Sequence, residues 1–367
     1  MQFKPIKVVD IELGDPIKHI TGLEGHGKLK ALVRYHGCPV GWVSVPIYGD
    51  RCFANEIRIK ILDLLSNEIV DHLLRRGLMK PIGPEGLELN EAISIPPHDE
   101  KSPWPLVTVA VCTRDRTEAL AVCLESLKKL DYPNLDLLLV DNTPQTDKTE
   151  KLLKEHYRLM RYICELRPGL NWARNRAISE ARGEIIAFTD DDVVVDRHWV
   201  RALARIFKEN QTVMAVTGLV IPQELETKAQ LLFEINGGFG RGFKRKWYHP
   251  GSDRERGKPL HIGAGIFGTG ANMAYRRSLF EQIGAFDPAL DVGTVTNGGG
   301  DLEMFYRVLQ EGYPLVYEPG AIVRHRHRRD YAGLKTQLTN NGIGLYSYFV
   351  RNMLAYPGEA VAIIRFG

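Results

Sequence analysis

Short apolar runs and one helical repeat occupy the first part of the chain. Three runs between residues 7 and 45 have the length and composition of strands, and His36-Gly37 between the last two predicts a hairpin turn. Between Ile57 and Leu74, apolar residues recur at helical spacing. We therefore expect residues 1–92 to form a small α+β module.

A different rhythm begins after a proline-rich stretch. The prolines of residues 93–105 disfavour both helix and paired strand, so they predict an extended linker. From Leu106 onward, apolar strands alternate with amphipathic helices, which is typical of a mostly parallel sheet covered on both faces. We expect an α/β domain over residues 106–330 and a helical extension over residues 331–367. Two alternatives stay open for this extension: the native chain continues beyond it, or the extension associates with a membrane.

An apolar run, residues 185–189, ends in the three consecutive carboxylates Asp190-Asp191-Asp192. Acidic residues are depleted inside strands, and ligands bind at the carboxyl ends of strands in open α/β sheets. Adjacent carboxylates repel one another unless a cation lies among them, and their oxygens suit Mg²⁺ or Mn²⁺. The alternative is capping of the helix that opens near Trp199, but Asp196 can cap that helix alone. The pattern favours a metal site.

Two later segments combine glycines with residues that could bind a ligand. Residues 237–247 are glycine-rich, basic and aromatic, and either a binding loop for acceptor or membrane headgroups or a plain surface loop accounts for them equally well. Residues 263–275 run from a glycine cluster into a strand. These glycines allow either close approach of a ligand or tight packing in the sheet.

Two carboxyl-terminal motifs carry groups that can titrate or bind a metal. Asp301 follows a run of glycines at the start of a helical pattern, so it is either a cap or a catalytic base on a mobile loop. His325 and His327 alternate with arginines at the end of a strand and share one face of it. One of these histidines could be a further ligand of the metal that Asp192 is expected to bind.

Composition narrows the classes of function. The chain of 367 residues is 44% hydrophobic and 25% charged, as in soluble globular proteins, and its net charge of +3 is too small to predict nucleic-acid binding. Five scattered cysteines without a CxxC pair favour a reducing compartment over a disulfide framework or a zinc site. The first residues contain no apolar run typical of a signal peptide, and no run reaches the roughly 18 apolar residues of a membrane span, so we expect neither. We expect a cytoplasmic location, with the inner face of the membrane as the alternative.

Six segments occur in an order that resembles one known family, the family 2 glycosyltransferases, which have the GT-A fold and usually invert the anomeric centre. The resemblance covers Leu106 to Arg329 and leaves the N-terminal module outside. It rests on residues 109–116, 140–142, 172–177, 188–192, 268–272 and 299–301.

The resemblance implies roles for the matched positions. Asp190 and Asp192 match the outer acids of the family's DxD motif, which hold the ribose and a divalent cation, and His325 matches a third metal ligand, with His327 as the fallback. Asp301 matches the general base, although Gly300 replaces the glutamate that usually precedes it. The remaining expected donor-site residues are Thr113, Arg114, Asp115, Asp141, Arg174 and Asp191, and the expected acceptor-site or sugar-site residues are Gly270, Asn272, Gly300 and Trp247.

These observations predict a metal-dependent inverting glycosyltransferase. The expected donor is a nucleoside-diphosphate sugar, with UDP favoured because uridine is the commonest base in the family, and the expected cofactor is Mn²⁺ or Mg²⁺. The acceptor is a saccharide, lipid-linked or other hydroxyl, and peripheral membrane contact is expected rather than nucleic-acid binding. The alternatives are a retaining or nucleotidyl-transferring enzyme of related fold, or a catalytically silent binding module.

Overall fold

The computed structural model describes residues 3–77, 103–250 and 262–366. Most of the predicted linker, residues 93–105, lies outside the described residues. The chain divides into two compact units, Met1–Pro103 with Glu224–Leu231 and Trp104–Gln223 with Leu232–Gly367.

The first unit contains a small sheet and one long helix. Its elements are β1 (Ile6–Glu12), β2 (Lys28–Tyr35), β3 (Cys38–Pro46) and α1 (Ala54–Gly77). β1 pairs parallel to β2, and β2 pairs antiparallel to β3 through the predicted turn. His36 and Gly37 have φ angles of 49° and 76°, as the two central residues of a type I′ turn require. Ile57, Ile61 and Leu65 of α1 lie in the core of this unit, as predicted, whereas Leu64 and Leu74, which were expected on the same face, are exposed.

The second unit alternates strands and helices. Its strands are β4 (Val107–Thr113), β5 (Leu135–Asn142), β6 (Arg161–Glu165), β7 (Ile185–Asp190), β8 (Val193–Val195), β9 (Ala215–Pro222), β10 (Lys246–Tyr248), β11 (Asn272–Arg276) and β12 (Leu315–His325). Its helices are α2 (Thr117–Leu127), α3 (Lys148–His156), α4 (Leu170–Glu180), α5 (Trp199–Glu209), α6 (Lys228–Ile235, whose first residues are grouped with the first unit), α7 (Leu279–Ile283), α8 (Gly300–Gln310), α9 (Tyr331–Ala355) and α10 (Ala360–Phe366). Residues Ala264–Ile266 and Pro357–Glu359 form 3₁₀ turns.

The strands of this unit form one mixed sheet in the order β10-β12-β9-β11-β7-β4-β5-β6, with β8 paired to β12. Pairing is parallel from β7 through β4 and β5 to β6, and again between β9 and β12. β11 is inserted antiparallel between β7 and β9. The predicted α/β class is confirmed. β4 has neighbours from later in the chain on both sides, so its carboxyl end is the crevice at which ligands bind in such sheets.

Both faces of the sheet are buried. Val107, Val109 and Val111 of β4 pack into one hydrophobic cluster, whereas Ala110 packs into a second cluster. Successive side chains of a strand point to opposite faces, so these two clusters lie on the two sides of the sheet. Helices on both sides therefore hold the strand ends at fixed positions.

The loop before α8 packs directly against α9. A Cβ atom on Gly299, where φ is +94°, would lie 2.6 Å from the carbonyl oxygen of Gly344 in α9. Only glycine combines this left-handed backbone with so close an approach. Among the described helices, α9 included, none has both the length and the apolar character needed to cross a bilayer.

Candidate active site

The carboxyl ends of β4 and β7 bring an arginine and two of the three consecutive acids together. The Thr113 hydroxyl donates to Asp191 Oδ2 at 2.7 Å. The Arg116 guanidinium donates to Asp191 Oδ1 at 2.6 Å and to Asp192 Oδ2 at 2.8 Å. Capping does not explain the acids, because β8 separates them from α5, which begins at Trp199.

The three acids differ in their electrostatics. Burial, together with the charge of Asp192, raises the pKa of Asp190 to about 7. Burial also raises the pKa of Asp191 to about 6, although Arg116 opposes this shift. Burial acts in the same direction on Asp192, but His325 and Arg116 outweigh it and hold the pKa of Asp192 below its ordinary value. The cluster therefore holds crowded negative charge that a cation would relieve.

Asp192 and His325 are positioned to share one divalent ion. His325 Nε2 lies 3.5 Å from Asp192 Oδ1, whereas Arg116 bonds the other oxygen of that carboxylate. Two ligands of one ion with bonds near 2.1 Å lie about 3 Å apart, so this pair fits a shared ion. Burial lowers the pKa of His325 to about 4, which favours the neutral form that binds metals. Among the described residues, no group of three or more His, Cys, Asp or Glu side chains forms a complete metal site. A substrate or water could supply the further ligands that the described side chains do not provide.

Asp301 lies at the same end of the sheet, in the first turn of α8. Its Oδ2 accepts the Gly270 backbone N–H at 2.7 Å, and its Oδ1 accepts the Leu302 N–H at 3.0 Å. The negative charge of Asp301 contributes to the raised pKa of Asp190. The N-cap of α8 is Gly299, so capping of α8 does not account for Asp301.

Arg174 packs behind Gly270. A Cβ atom at residue 270 would lie 2.5 Å from the Arg174 guanidinium and 3.1 Å from Asp301 Oδ2, so a side chain there would separate the two groups. The guanidinium also donates to Asn171 Oδ1 at 3.2 Å, and Arg174 is only 6% exposed. This location favours a role at Asp190 and Asp301 over the base contact that the resemblance implies.

A second group of polar contacts surrounds Asp141, which is fully buried at the carboxyl end of β5. The Tyr162 hydroxyl donates to Asp141 Oδ2 at 3.1 Å, while Asp141 Oδ1 is buried and has no hydrogen-bond partner within the part of the chain that the structure describes. Burial raises the pKa of Asp141 to about 6. Asp115 has a φ angle of +52°, and its side chain accepts the Gln145 N–H at 2.9 Å. The preceding residue, Arg114, is exposed.

Three predicted acceptor or sugar contacts need correction. Asn272 is fully buried: it accepts Trp199 Nε1–H at 2.8 Å and donates to the carbonyls of Leu219 and Ala321, so it ties strands together. Gly300 is buried against Asn171, whose side-chain nitrogen would lie 2.1 Å from a Cβ at residue 300. Trp247 is 40% exposed on the edge strand β10, opposite Val316 near the start of β12, whereas His325 lies at the other end of that strand.

A side chain at residue 300 would collide with Asn171, whose side-chain nitrogen donates to the carbonyls of Asp287 and Leu290. Glycine at residue 300 avoids this collision, whereas the glutamate that usually precedes the base in the family would meet it.

Thr113 and Asp191, two of the expected donor-site residues, bond to each other through their side chains. Their contacts therefore link the ends of β4 and β7.

Sequence reasoning missed Arg116, Glu234 and Asp291. Arg116 lies in the same polar loop as Asp115, but no sequence signal distinguishes its direction from that of Arg114. Glu234 accepts from His327 at 2.9 Å, a contact between residues 93 positions apart. Asp291 accepts the Asn171 N–H at the start of α4 at 2.9 Å. These pairings depend on tertiary register, which periodicity does not reveal.

Comparison with known proteins identifies the family of this domain. Residues 108–284 match the model of glycosyl transferase family 2. The chain is 23% identical over 232 residues to a glucosyl-dolichyl phosphate glucuronosyltransferase of Haloferax volcanii, a match that covers 60% of the chain and 69% of the relative. It is 26% identical over 242 residues to polypeptide N-acetylgalactosaminyltransferase 5 of Caenorhabditis elegans, covering 61% of the chain but only 37% of the relative.

Two solved structures are also similar. A mannosyltransferase, PcManGT from Pyrobaculum calidifontis in complex with GDP-Man and Mn²⁺, aligns with a TM-score of 0.48 at 20% identity, over 69% of this chain and 68% of that one. GalNAc-T7 with UDP, GalNAc and Mn²⁺ aligns with a TM-score of 0.47 at 18% identity, over 64% of this chain and 45% of that one. The matched segment contains the parallel strands β4 to β7 and the acids Asp190, Asp191 and Asp192. Residues 108–284 of this chain therefore belong to the family 2 glycosyltransferases.

Proposed function

We propose that this glycosyltransferase moves a sugar from a nucleoside diphosphate to an acceptor hydroxyl with inversion at the anomeric carbon. The observation that supports this most is the hydrogen bond between Asp301 and the Gly270 N–H. It holds a carboxylate close enough to Asp190 for its charge to act on that acid. A base and the acids that would face the diphosphate thus share one cleft.

In the proposed reaction, Asp301 takes the proton of the acceptor hydroxyl. The acceptor oxygen forms a new bond to the anomeric carbon while the bond from that carbon to the diphosphate oxygen breaks, and the electron pair leaves with the diphosphate. The backbone N–H groups of Gly270 and Leu302 orient the Asp301 carboxylate for this transfer. A single displacement inverts the anomeric centre.

Asp192 and His325 would hold the divalent ion, Mn²⁺ or Mg²⁺. Such an ion, when bound, stabilises charge on the leaving diphosphate as a Lewis acid. Arg116 keeps Asp192 in place through its 2.8 Å bond to Oδ2 and leaves Oδ1 for the metal. Asp190 would bind the ribose.

We further propose uracil as the base, and the hydrogen bonds of Asp141 support this choice. Uracil presents one ring N–H between two carbonyls, whereas guanine presents two adjacent N–H groups that a carboxylate binds with both oxygens. Asp141 Oδ2 already accepts the Tyr162 hydroxyl at 3.1 Å, so a single oxygen is left for the base. One free acceptor suits one donor, which supports a UDP-sugar.

Asp141→Asn is expected to weaken UDP-sugar binding by about 10- to 100-fold and to stabilise the free protein. The amide oxygen can take the place of Oδ2 or of Oδ1 but not of both, so it cannot accept from Tyr162 and from the base at their two separate positions. The folded-state pKa of Asp141, about 6, lies above its ordinary value. The stability of the wild-type protein therefore falls as the pH rises from about 4 to about 6, and the variant lacks this loss.

Calorimetry with UDP-sugar and thermal unfolding between pH 4 and pH 8 measure the two effects of Asp141→Asn. Asp147→Asn is the control, because Asp147 is an exposed acid that pairs with Lys151 on the surface. Unchanged affinity in Asp141→Asn would remove Asp141 from the donor site.

The proposed acceptor rests on the name of a relative and not on contacts in the site. We propose a saccharide or lipid-linked hydroxyl, since one relative is named for a dolichyl phosphate substrate. We also propose that residues 106–330 form the catalytic domain, preceded by a 1–92 module and a linker, and that the protein acts in the cytoplasm, with peripheral membrane contact.

Product stereochemistry tests the proposed function. UDP-sugars are screened by thermal shift with and without Mn²⁺, and the product formed from the best donor is analysed by NMR. A β-linked product from an α-linked donor is expected. An α-linked product would favour a retaining enzyme, and release of nucleoside monophosphate would favour nucleotidyl transfer. Binding of donor without any turnover would favour a silent module.

A further inference from the structure

His325 belongs to a chain of polar contacts that leads away from the proposed metal site. Its Nε2 faces Asp192 Oδ1 at 3.5 Å, and its Nδ1 lies 3.1 Å from Nδ1 of His327. The Nε2 of His327 lies 2.9 Å from Oε1 of Glu234 in α6. His325 and His327 are 8% and 2% exposed, so water has little access to either ring.

These contacts constrain where each imidazole carries its proton. A neutral imidazole has one N–H and one lone pair, whereas a carboxylate oxygen only accepts. Glu234 therefore requires the proton of His327 on Nε2, which leaves a lone pair on Nδ1 of that ring. The contact between the two Nδ1 atoms then requires the proton of His325 on its own Nδ1. The lone pair of His325 consequently lies on Nε2, which faces Asp192.

Aromatic rings limit rotation of both imidazoles. Phe239 meets His325 edge to face at a centroid distance of 5.2 Å, and Phe233 packs on His327 at 4.7 Å. Phe239 belongs to the glycine-rich segment 237–247, so at least one residue of that segment packs against the site instead of binding a ligand.

We propose that Glu234 and His327 are positioning residues that hold His325 in its Nδ1–H tautomer and reserve Nε2 for a divalent cation. This inference rests on the proposed function, since it assigns the cation to the Asp192–His325 pair. Contacts behind a metal-binding histidine set its tautomer and orientation, and their loss typically costs about 10- to 100-fold in metal affinity. Neither Glu234 nor His327 needs to touch the ion.

The experiment reads the tautomer first, without metal or donor. Two-bond ¹H–¹⁵N NMR on the full chain is expected to find His325 unprotonated at Nε2 in the wild type. In Glu234→Gln, the amide can donate to His327 Nε2 as well as accept from it, whereas the carboxylate only accepts. In the molecules in which the amide donates, the His327 proton lies on Nδ1 and His325 Nδ1 accepts, so the opposite His325 tautomer is expected to become populated.

Mn²⁺ affinity, measured by EPR of the free ion in the presence of UDP, is the second readout. Glu234→Gln is expected to weaken binding by about 10- to 100-fold. His327→Asn keeps an oxygen that can accept from His325, so it is expected to stay close to wild type, whereas His327→Leu removes the acceptor and is expected to resemble Glu234→Gln. Glu281→Gln, at an exposed glutamate of α7, is the control.

A wild-type His325 protonated at Nε2, or an unchanged tautomer and unchanged Mn²⁺ affinity in Glu234→Gln, would overturn the inference. Equal loss of affinity in His327→Asn and His327→Leu would also count against it, because a packing role would predict that result. A wild type with the expected tautomer that binds no Mn²⁺ would instead overturn the proposed function, and with it the metal-positioning role.

Discussion

Asp301→Asn is expected to reduce sugar transfer by about 10²- to 10⁴-fold while leaving donor affinity close to that of the wild type. The amide has nearly the same shape as the carboxylate and can still accept the Gly270 N–H through its oxygen. It cannot take a proton from an acceptor hydroxyl. The loss should therefore fall on the chemical step and not on donor binding.

Initial rates with a UDP-sugar and calorimetry of donor binding measure the effects of Asp301→Asn, and thermal unfolding confirms that the variant folds. Asp330→Asn is the matched control: Asp330 also lies at a helix N-terminus, where its side chain accepts the Gly333 N–H. Full transfer activity in Asp301→Asn would assign the base to another residue. Loss of donor binding would assign Asp301 to the donor site.

Asp192→Ala is expected to abolish the Mn²⁺-dependent part of donor binding. Asp192 Oδ1 and His325 Nε2, 3.5 Å apart, are the two protein ligands proposed for the ion. Without the carboxylate, one imidazole would be left beside the positive guanidinium of Arg116, an environment that disfavours a divalent cation.

Calorimetry of UDP-sugar binding with and without Mn²⁺ measures this effect. The wild type is expected to show a clear gain from the metal, and Asp192→Ala none. Asp147→Ala, which removes an exposed acid outside the cleft, should keep the full gain. A metal-dependent gain that survives in Asp192→Ala would place the ion elsewhere.

The strand-end acids and the class of fold could be predicted from the sequence because both depend on local pattern. An apolar run that stops at Asp190 marks a strand end, and alternating strands and helices mark an α/β sheet. The antiparallel insertion of β11 could not be predicted, since it depends on pairing with β7 and β9, which lie far away along the chain. The local sequence pattern indicates where strands and helices lie, but it does not indicate which strands pair with one another.

Within the site, the sequence could not predict the direction in which individual side chains point. The glycine cluster before Asn272 allows close approach of a ligand, yet the Asn272 side chain donates to strand carbonyls in the core. Gly300 is explained by Asn171 and not by an acceptor. The pair Arg116 and Asp191 joins residues 75 positions apart, so no sequence window contains both.

The contact between Gly299 and the Gly344 carbonyl has a consequence for how this enzyme can vary. The residue just before the turn that carries Asp301 rests on a helix well beyond the matched segment, residues 108–284. The position of the proposed base therefore depends on packing against the C-terminal helix α9. A substitution that moves α9 away from Gly299 is expected to lower the rate of transfer before it weakens binding of the donor nucleotide.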